Sequence, residues 1–483
     1  MTTDRRTLIA LTGALLAGGA GCLSDDGSSD DSGSGTSTEN ADDGGGFEEH
    51  DVPDFPQVDP VTDPALESER LAEQVRGNVA FSLDVLAELR ADQPDENVFF
   101  SPYSISVALA MTFAGARGET AAEMADALRY ELATEDDDHT LRYELATEDD
   151  DLHAAFGALE DEFERRNEDG EEVEQPEWSE AEGDEDDLGF QLSSANAVWA
   201  DEGYPFDEEY FELLEAYYGA GEHVVDFAGN PEEARQEINE WVEERTNDRI
   251  EDLLPEGSID AATRLVLTNA VYFLAAWEYD FDPAATEPET FTGIDGSETE
   301  VEMMHQSAEL QYADVDGHQL VELPYANGDT SMIVVLPAEG EFEAFEESFT
   351  VDRLATMLEE TSRPEVDLAM PRFGVESKFS LVETMRELGM ERAFGGGADF
   401  SGMVEGDDGG LFVDDIVHQS FVEVDEEGTE AAAATAVIMA ESAPPDQVEM
   451  TVDRPFLFYI RDRPTETPLF VGRIVDGETL QEE

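Results

Sequence analysis

Leu265-Val-Leu-Thr-Asn269-Ala-Val-Tyr-Phe273-Leu-Ala-Ala-Trp277 is the stretch on which the fold turns. Residues 265–273 are rich in β-branched and aromatic side chains and read as a strand. Working outward, residues 192–199, 320–323, 331–336, 366–370, 410–424 and 455–460 read as further strands. Residues 66–89 carry apolar side chains near helical spacing (Leu71, Val75, Val79, Leu83, Leu86), which predicts a helix. Residues 104–114, 232–244 and 381–388 predict others, and residues 120–128, opening on Glu119-Thr120, a short capped one. Early helices followed by mostly antiparallel strands argue an α+β class.

The chain has 483 residues, with 24 Lys+Arg against 120 Asp+Glu and a formal net charge of -96. That balance excludes nucleic-acid binding through phosphate neutralisation and docking on anionic lipid heads, both of which need basic patches. The apolar fraction is 40%, enough for a sizeable core, so global disorder is excluded. Lys378 is the only lysine, and the acid is spread along the chain rather than gathered in Asp motifs. Both features read as adaptation to concentrated salt, where screening shortens the reach of self-repulsion to about 3 Å at 1 M. A single cysteine, Cys22, excludes intrachain disulfides and Cys-based zinc sites.

Residues 1–22 read as an export signal. Arg5-Arg6 precede an apolar run and small residues that end at Cys22, and the run is too short to cross a bilayer of about 30 Å. The paired arginines suggest the twin-arginine route, and Cys22 sits where a lipoprotein signal would carry its anchor. Residues 23–64, mostly Ser, Gly and acid, read as a tether. The folded domain is expected over residues 65–483. Within it, residues 128–140 recur almost unchanged from Leu141, a single tandem copy that is no solenoid. Residues 129–151 and 169–188 are expected to be surface insertions.

Motifs for catalysis are absent. The seven histidines form no metal-binding spacing, and there is neither a nucleophile elbow nor a phosphate-binding loop. Asp314-Val-Asp316-Gly317 reads as a turn, and the Gly395-Gly396-Gly397 run as a loop. No metal or cofactor is expected, and the residues by themselves describe an exported, salt-adapted α+β domain without visible catalysis.

Four motifs resemble the serpin family of serine protease inhibitors. They are Asn97-Val-Phe-Phe-Ser101-Pro102 running on to Met111; Thr268-Asn269-Ala-Val-Tyr-Phe to Trp277, followed by Phe281; Ala398-Asp-Phe-Ser-Gly-Met403; and Val452-Asp-Arg-Pro-Phe-Leu-Phe458 with Pro468-Leu-Phe-Val-Gly472. The resemblance runs over residues 66–478, with Leu274-Ala275 where the family usually has Lys-Gly. A secreted, haloarchaeal-type member is the expectation. The resemblance implies a five-stranded central sheet that opens, two smaller sheets, about nine helices and an exposed reactive loop. In that mechanism a protease cuts the loop and is held as an acyl-enzyme, while the freed loop inserts as a new strand.

The loop is placed at residues 426–446. Its hinge is Gly428, Thr429, Glu430, Ala431, Ala432, Ala433 and Ala434, small enough to enter a sheet. On a period of two, Thr429, Ala431, Ala433 and Thr435 share one face and none is charged. An alanine run alone would equally well make a surface helix. Counting from Gly428 at the family's spacing places the reactive bond at Ser442-Ala443. Counting back from Pro444-Pro445 places it at Glu441-Ser442. Neither offers Arg or Lys, so a subtilisin-like, elastase-like or Glu-specific protease is expected as partner, held in a covalent acyl complex by a monomer. Ser101, Ser104, Asn269 and His418 match family positions that hydrogen-bond under the opening sheet, and Trp277 matches the point where the loop first enters. Read without the family, the serines are helix caps, His418 a satisfied core histidine and Trp277 core packing. The alternative function is a non-inhibitory serpin acting as a binding protein or chaperone; a secreted hydrolase would need a nucleophile and base that no spacing supplies.

Overall fold

The computed structural model describes residues 68–130, 151–171, 190–220, 223–246, 248–406, 410–429 and 447–481. The chain divides into residues 1–50, outside that set, and residues 51–483, which carry the fold. Cys22, the tether, most of both expected insertions and the loop from Glu430 to residue 446 also lie outside it. That includes Ala431, Ala432, Ala433, Ala434, Glu441, Ser442 and Ala443.

In chain order the elements begin α1 (Ser68–Asp92), β1 (Val98–Phe100), α2 (Pro102–Gly115), α3 (Gly118–Ala127) and α4 (Asp151–Glu171). Then come β2 (Phe190–Ser194), β3 (Ala197–Asp201), α5 (Glu208–Tyr218), β4 (His223–Val225), α6 (Pro231–Arg245) and β5 (Leu265–Ala276). The middle of the chain holds β6 (Glu287–Thr292), β7 (Glu298–Glu309), β8 (Gln311–Val315), β9 (His318–Pro324), β10 (Thr330–Leu336), α7 (Phe342–Glu347) and α8 (Val351–Glu359). It closes with β11 (Glu365–Pro371), β12 (Phe373–Ser380), α9 (Val382–Glu387), β13 (Val417–Val424), β14 (Gly428–Thr429), β15 (Gln447–Thr451), β16 (Phe456–Asp462) and β17 (Thr467–Ile474). Nine α-helices among the described residues and three sheets make the α+β fold that was expected.

The largest sheet has seven strands where five were expected: it runs β12-β13-β14-β5-β3-β4, with β2 also on β5, and the short β4 and β14 extend it. A six-stranded sheet (β1-β17-β16-β10-β9-β8) and a four-stranded one (β15-β11-β7-β6) complete the framework. All fourteen residues of α2 are buried, as a helix apolar on every side requires. Its last residue, Gly115, leaves no room for a Cβ, which would stand 2.1 Å from Cγ of Met403. The Ala398–Met403 stretch therefore packs directly on this helix end. Phe99 stacks between Phe458 and Phe470, tying β1 to the six-stranded sheet.

The strand expected at 192–199 is two strands, broken at Ala195-Asn196, because Asn196 accepts hydrogen bonds from Ser104 and Asn269. The strand expected at 410–424 begins only at Val417; Leu411 and Val413 are buried anchors of an irregular segment. Helix α3 has no side-chain cap. Arg117 holds the capping position and Thr120 Oγ1 accepts the Asp399 amide instead. Helices α4, α5, α7 and α8 form where the sequence pattern predicts none. Tyr130, inside the first copy of the repeat, is a core residue whose hydroxyl donates to the Ser106 carbonyl. The expected turn at Asp314–Gly317 is a hairpin, with Asp316 and Gly317 both at positive φ and the Gly317 amide on Asp314.

Among the described residues four arginines are buried: Arg166, Arg235, Arg461 and Arg473. Arg461 bridges buried Glu322 and half-buried Glu466, Arg473 bridges buried Glu346, and Arg166 bridges buried Glu162 and Asp462. Among the described residues no helix is long and apolar enough to cross a membrane.

Candidate functional site

Strands β5 and β13 lie parallel and pair directly from Val417↔Thr268 to Ser420↔Val271. Toward the other end of β13 the pairing stops, and β14 takes its place. Gly428 and Thr429 pair antiparallel with Ala276 and Ala275 of β5, while Thr429 pairs with Val424 of β13. Two residues of the expected hinge thus already stand between the two strands.

Local sequence explains how the hinge is held. Asp425 accepts the Glu427 and Gly428 amides at 2.9 and 3.1 Å, and its own amide donates to the Gly428 carbonyl at 2.9 Å, closing a tight turn. A Cβ on Gly428 would stand 2.3 Å from the Ala275 carbonyl oxygen and 2.8 Å from the Ala276 Cα, so only glycine lets the chain approach β5. Trp277 donates from Nε1 to the Asp425 carbonyl at 3.0 Å and from its amide to that of Glu427. Its ring stacks on Tyr325 at 4.6 Å. Thr286 donates to the Glu426 carboxylate at 2.6 Å. Burial, with Glu427 and Asp425 close by, pushes the Asp280 carboxyl up to about 6.

Where β5 and β13 touch, a buried polar cluster lies beneath the sheet. The Ser101 amide donates to His418 Nε2 at 3.1 Å, so the ring proton sits on Nδ1 and donates to Asn269 Oδ1. Asn269 Nδ2 donates to Ser104 Oγ at 2.8 Å and to Asn196 Oδ1 at 2.9 Å. Ser101 Oγ donates to the Leu469 carbonyl and accepts the Ser104 amide, so it is also the cap of α2. Burial pushes the His418 imidazole down to about 3, and it stays neutral at ordinary pH.

The structure brings together Ser101, Ser104, Asn269 and His418, as expected, and places Trp277 against the hinge turn. It adds Asn196, Tyr325, Asp425 and Thr286, which the sequence reading did not single out. Asn196 was signalled only by a polar break in an apolar run, and Asp425 by its place three residues before a glycine. The other two, Tyr325 and Thr286, are contributed by chain segments far away in sequence.

The family profile described as Serpin (serine protease inhibitor) matches residues 76–477. Similar proteins include an uncharacterized serpin-like protein of Thermococcus kodakarensis, 37% identical over 82% of this chain and 84% of its own length. Another is the leukocyte elastase inhibitor of Bos taurus, 35% identical over 82% of this chain and 97% of that protein. Among solved structures, uncleaved ovalbumin superposes with a TM-score of 0.68 at 26% identity, covering 83% of this chain and 99% of that one. Cleaved Serpin 42Da superposes with a TM-score of 0.68 at 28% identity, covering 86% and 100%. The chain belongs to the serpin family. Its β5–β13 pairing leaves no strand between them at residues 417–420, so at that level the central sheet is closed.

Proposed function

We propose that this serpin is an exported inhibitor of serine proteases that works as a suicide substrate. The observation that carries the reading is a coincidence of registers. Continuing β14 along β5 puts Ala433 opposite Val271, Ala434 opposite Ala270, Thr435 opposite Asn269 and Ala436 opposite Thr268. Continuing it along β13 puts the same four opposite Ser420, Gln419, His418 and Val417. Those are the partners that β5 and β13 now offer each other. One strand can therefore enter without shifting either neighbour along its axis.

The insertion register alternates favourably. Residues opposite Phe273, Val271 and Asn269 face the core, and they are Ala431, Ala433 and Thr435. The strand end Leu265 falls opposite Met439, three residues before Ser442. Ten residues from Glu430 to Met439 would carry whatever is bonded to Ser442 about 33 Å along the sheet.

The chemistry follows. A protease serine hydroxyl attacks the Ser442 carbonyl carbon, the bond to the Ala443 nitrogen breaks, and the protease is left as an ester. Insertion then parts the four β5–β13 pairs, including the His418–Asn269 hydrogen bond beneath them. His418 and its partners act as a latch that keeps the loop out until cleavage frees its end. A small or acidic specificity pocket fits the residues at the bond, and Glu441-Ser442 is the neighbouring choice. Export through residues 1–22, a lipid anchor on Cys22 and salt adaptation belong to the same reading.

The test is a denaturing gel of the protein with a subtilisin-like protease in concentrated KCl. A band heavier than either component is expected, with a released peptide beginning at Ala443. Cleavage without such a band across several serine proteases would refute inhibition.

A further inference from the structure

The start of β6 and the middle of β7 bring together the one group of three His, Cys, Asp or Glu side chains, among the described residues, whose ligand atoms converge. These are Glu287, Glu289 and His305, with all three ligand atoms within 4.8 Å of one another. We propose that they form a binding site for a divalent transition-metal cation of the zinc or cobalt class.

The strand geometry builds the trio. Glu287 and Glu289 lie two apart on β6 and so point to the same face. Their partners on β7 are Met303 and Val301, and His305 follows two residues beyond Met303 on that face. Deeper along it, Phe291, Val301 and Met303 are buried, so the group stands at the rim of the core with Glu289 and His305 half-buried. Strand β6 is the edge of its sheet, which leaves the outer side open to an entering ion and its waters.

The chemistry selects the ion. Donors about 2.0–2.2 Å from one tetrahedral centre lie roughly 3.3–3.6 Å apart. His305 Nε2 is 2.9 Å from Glu289 Oε1, so changes of rotamer alone bring the three into range. One imidazole with two carboxylates suits zinc, cobalt or manganese, whereas magnesium and calcium take oxygen donors. The chain has 120 acidic residues and only seven histidines, so chance meetings would be of carboxylates. The convergent group nonetheless contains a histidine. Spacing along the chain could not reveal it, because the ligands come from two strands joined by a turn. The site also lies one residue from Thr286, the hydroxyl that holds Glu426 at the base of the hinge.

The experiment uses the full chain, stripped with a chelator and titrated with Co²⁺ in about 2 M KCl, where screening suppresses the loose cation cloud of so acidic a protein. One saturable equivalent is expected, with the visible bands of Co²⁺ at low coordination number, displaced by Zn²⁺, and with a rise in unfolding temperature. His305→Asn and Glu289→Gln should each weaken Co²⁺ binding at least tenfold and abolish the thermal shift, while unfolding at the parent's temperature without metal. Glu300→Gln, an exposed carboxylate on the same strand, should leave the titration unchanged. No saturable equivalent, or a His305→Asn titration that overlays the parent's, would mean a plain His–Glu hydrogen bond and overturn the proposal. None of these readouts involves a protease, so they stand or fall apart from inhibition.

Discussion

Gly428→Ala adds one methyl group to the hinge at its closest approach to β5. The new Cβ would stand 2.3 Å from the Ala275 oxygen and 2.8 Å from the Ala276 Cα, both backbone atoms that cannot swing aside. Reaching an ordinary contact of 3.4 Å means moving the strands about 1 Å apart. Hydrogen bonds near 3 Å do not survive that displacement. The Gly428↔Ala276 and Thr429↔Ala275 pairings are lost. At about 1 kcal/mol per hydrogen bond, the docked hinge loses about 2 kcal/mol relative to an expelled one, a factor of roughly 30 in population. The same methyl group meets the same backbone in the inserted strand, so insertion slows as well. The reactive bond lies fourteen residues further on and is presented to the protease as before. The variant should therefore be cut at the parental rate, while the cleaved molecules consumed per protease trapped rise several-fold. The assay is a titration of residual protease activity against inhibitor in concentrated KCl, with cleaved and complexed protein separated on a denaturing gel. Should the alanine variant trap protease with parental stoichiometry, the close approach of the hinge to β5 has no part in the mechanism.

Other outcomes follow from the same geometry. Thr429→Arg, opposite the buried Val424, should abolish trapping but leave cleavage intact, whereas Glu430→Arg, on the opposite face, should be mild; equal trapping by both, read on the same gel, would contradict the insertion register. His418 has a folded pKa of about 3 against an ordinary 6.5, so the unfolded chain alone takes up its proton between those values. Stability falls on acidification through that window by about 1.4 kcal/mol per pH unit, and the difference between parent and His418→Gln in urea unfolding from pH 7 to 4 should show it; a constant difference would mean the ring is not neutral. Asp280 is raised, so the contribution of its protonated form is present below about pH 4 and lost as pH rises through 6. Asp280→Asn should raise stability at pH 7 by on the order of 1 kcal/mol, allowing for its partial exposure, and do nothing at pH 4, as thermal unfolding at the two pH values would show. With a net charge of -96, the unfolding temperature should climb steeply from about 0.1 M to 2 M KCl, and a flat profile would remove the case for salt adaptation.

What the sequence determined by itself was local or periodic. The strand 265–273, the helices near 68–92 and 102–115 and the turn at Asp316-Gly317 were legible because each depends on side chains a few positions apart. Helices α4 and α5 were not, since in so acidic a chain the polar face crowds out the apolar stripe. The break at Asn196 was hidden for another reason: hydrogen bonds from Ser104 and Asn269, 92 and 73 residues away, decide it. The site divides in the same way. Gly428, Asn269, His418 and Trp277 stood out through family resemblance. Only the tertiary structure decided why glycine is needed at 428, that Thr286 and Asp425 hold the hinge turn, and that Glu287, Glu289 and His305 converge. The reason is physical: strand pairing sets residues side by side irrespective of their distance along the chain, and the register that admits a new strand between β5 and β13 exists only once both are in place.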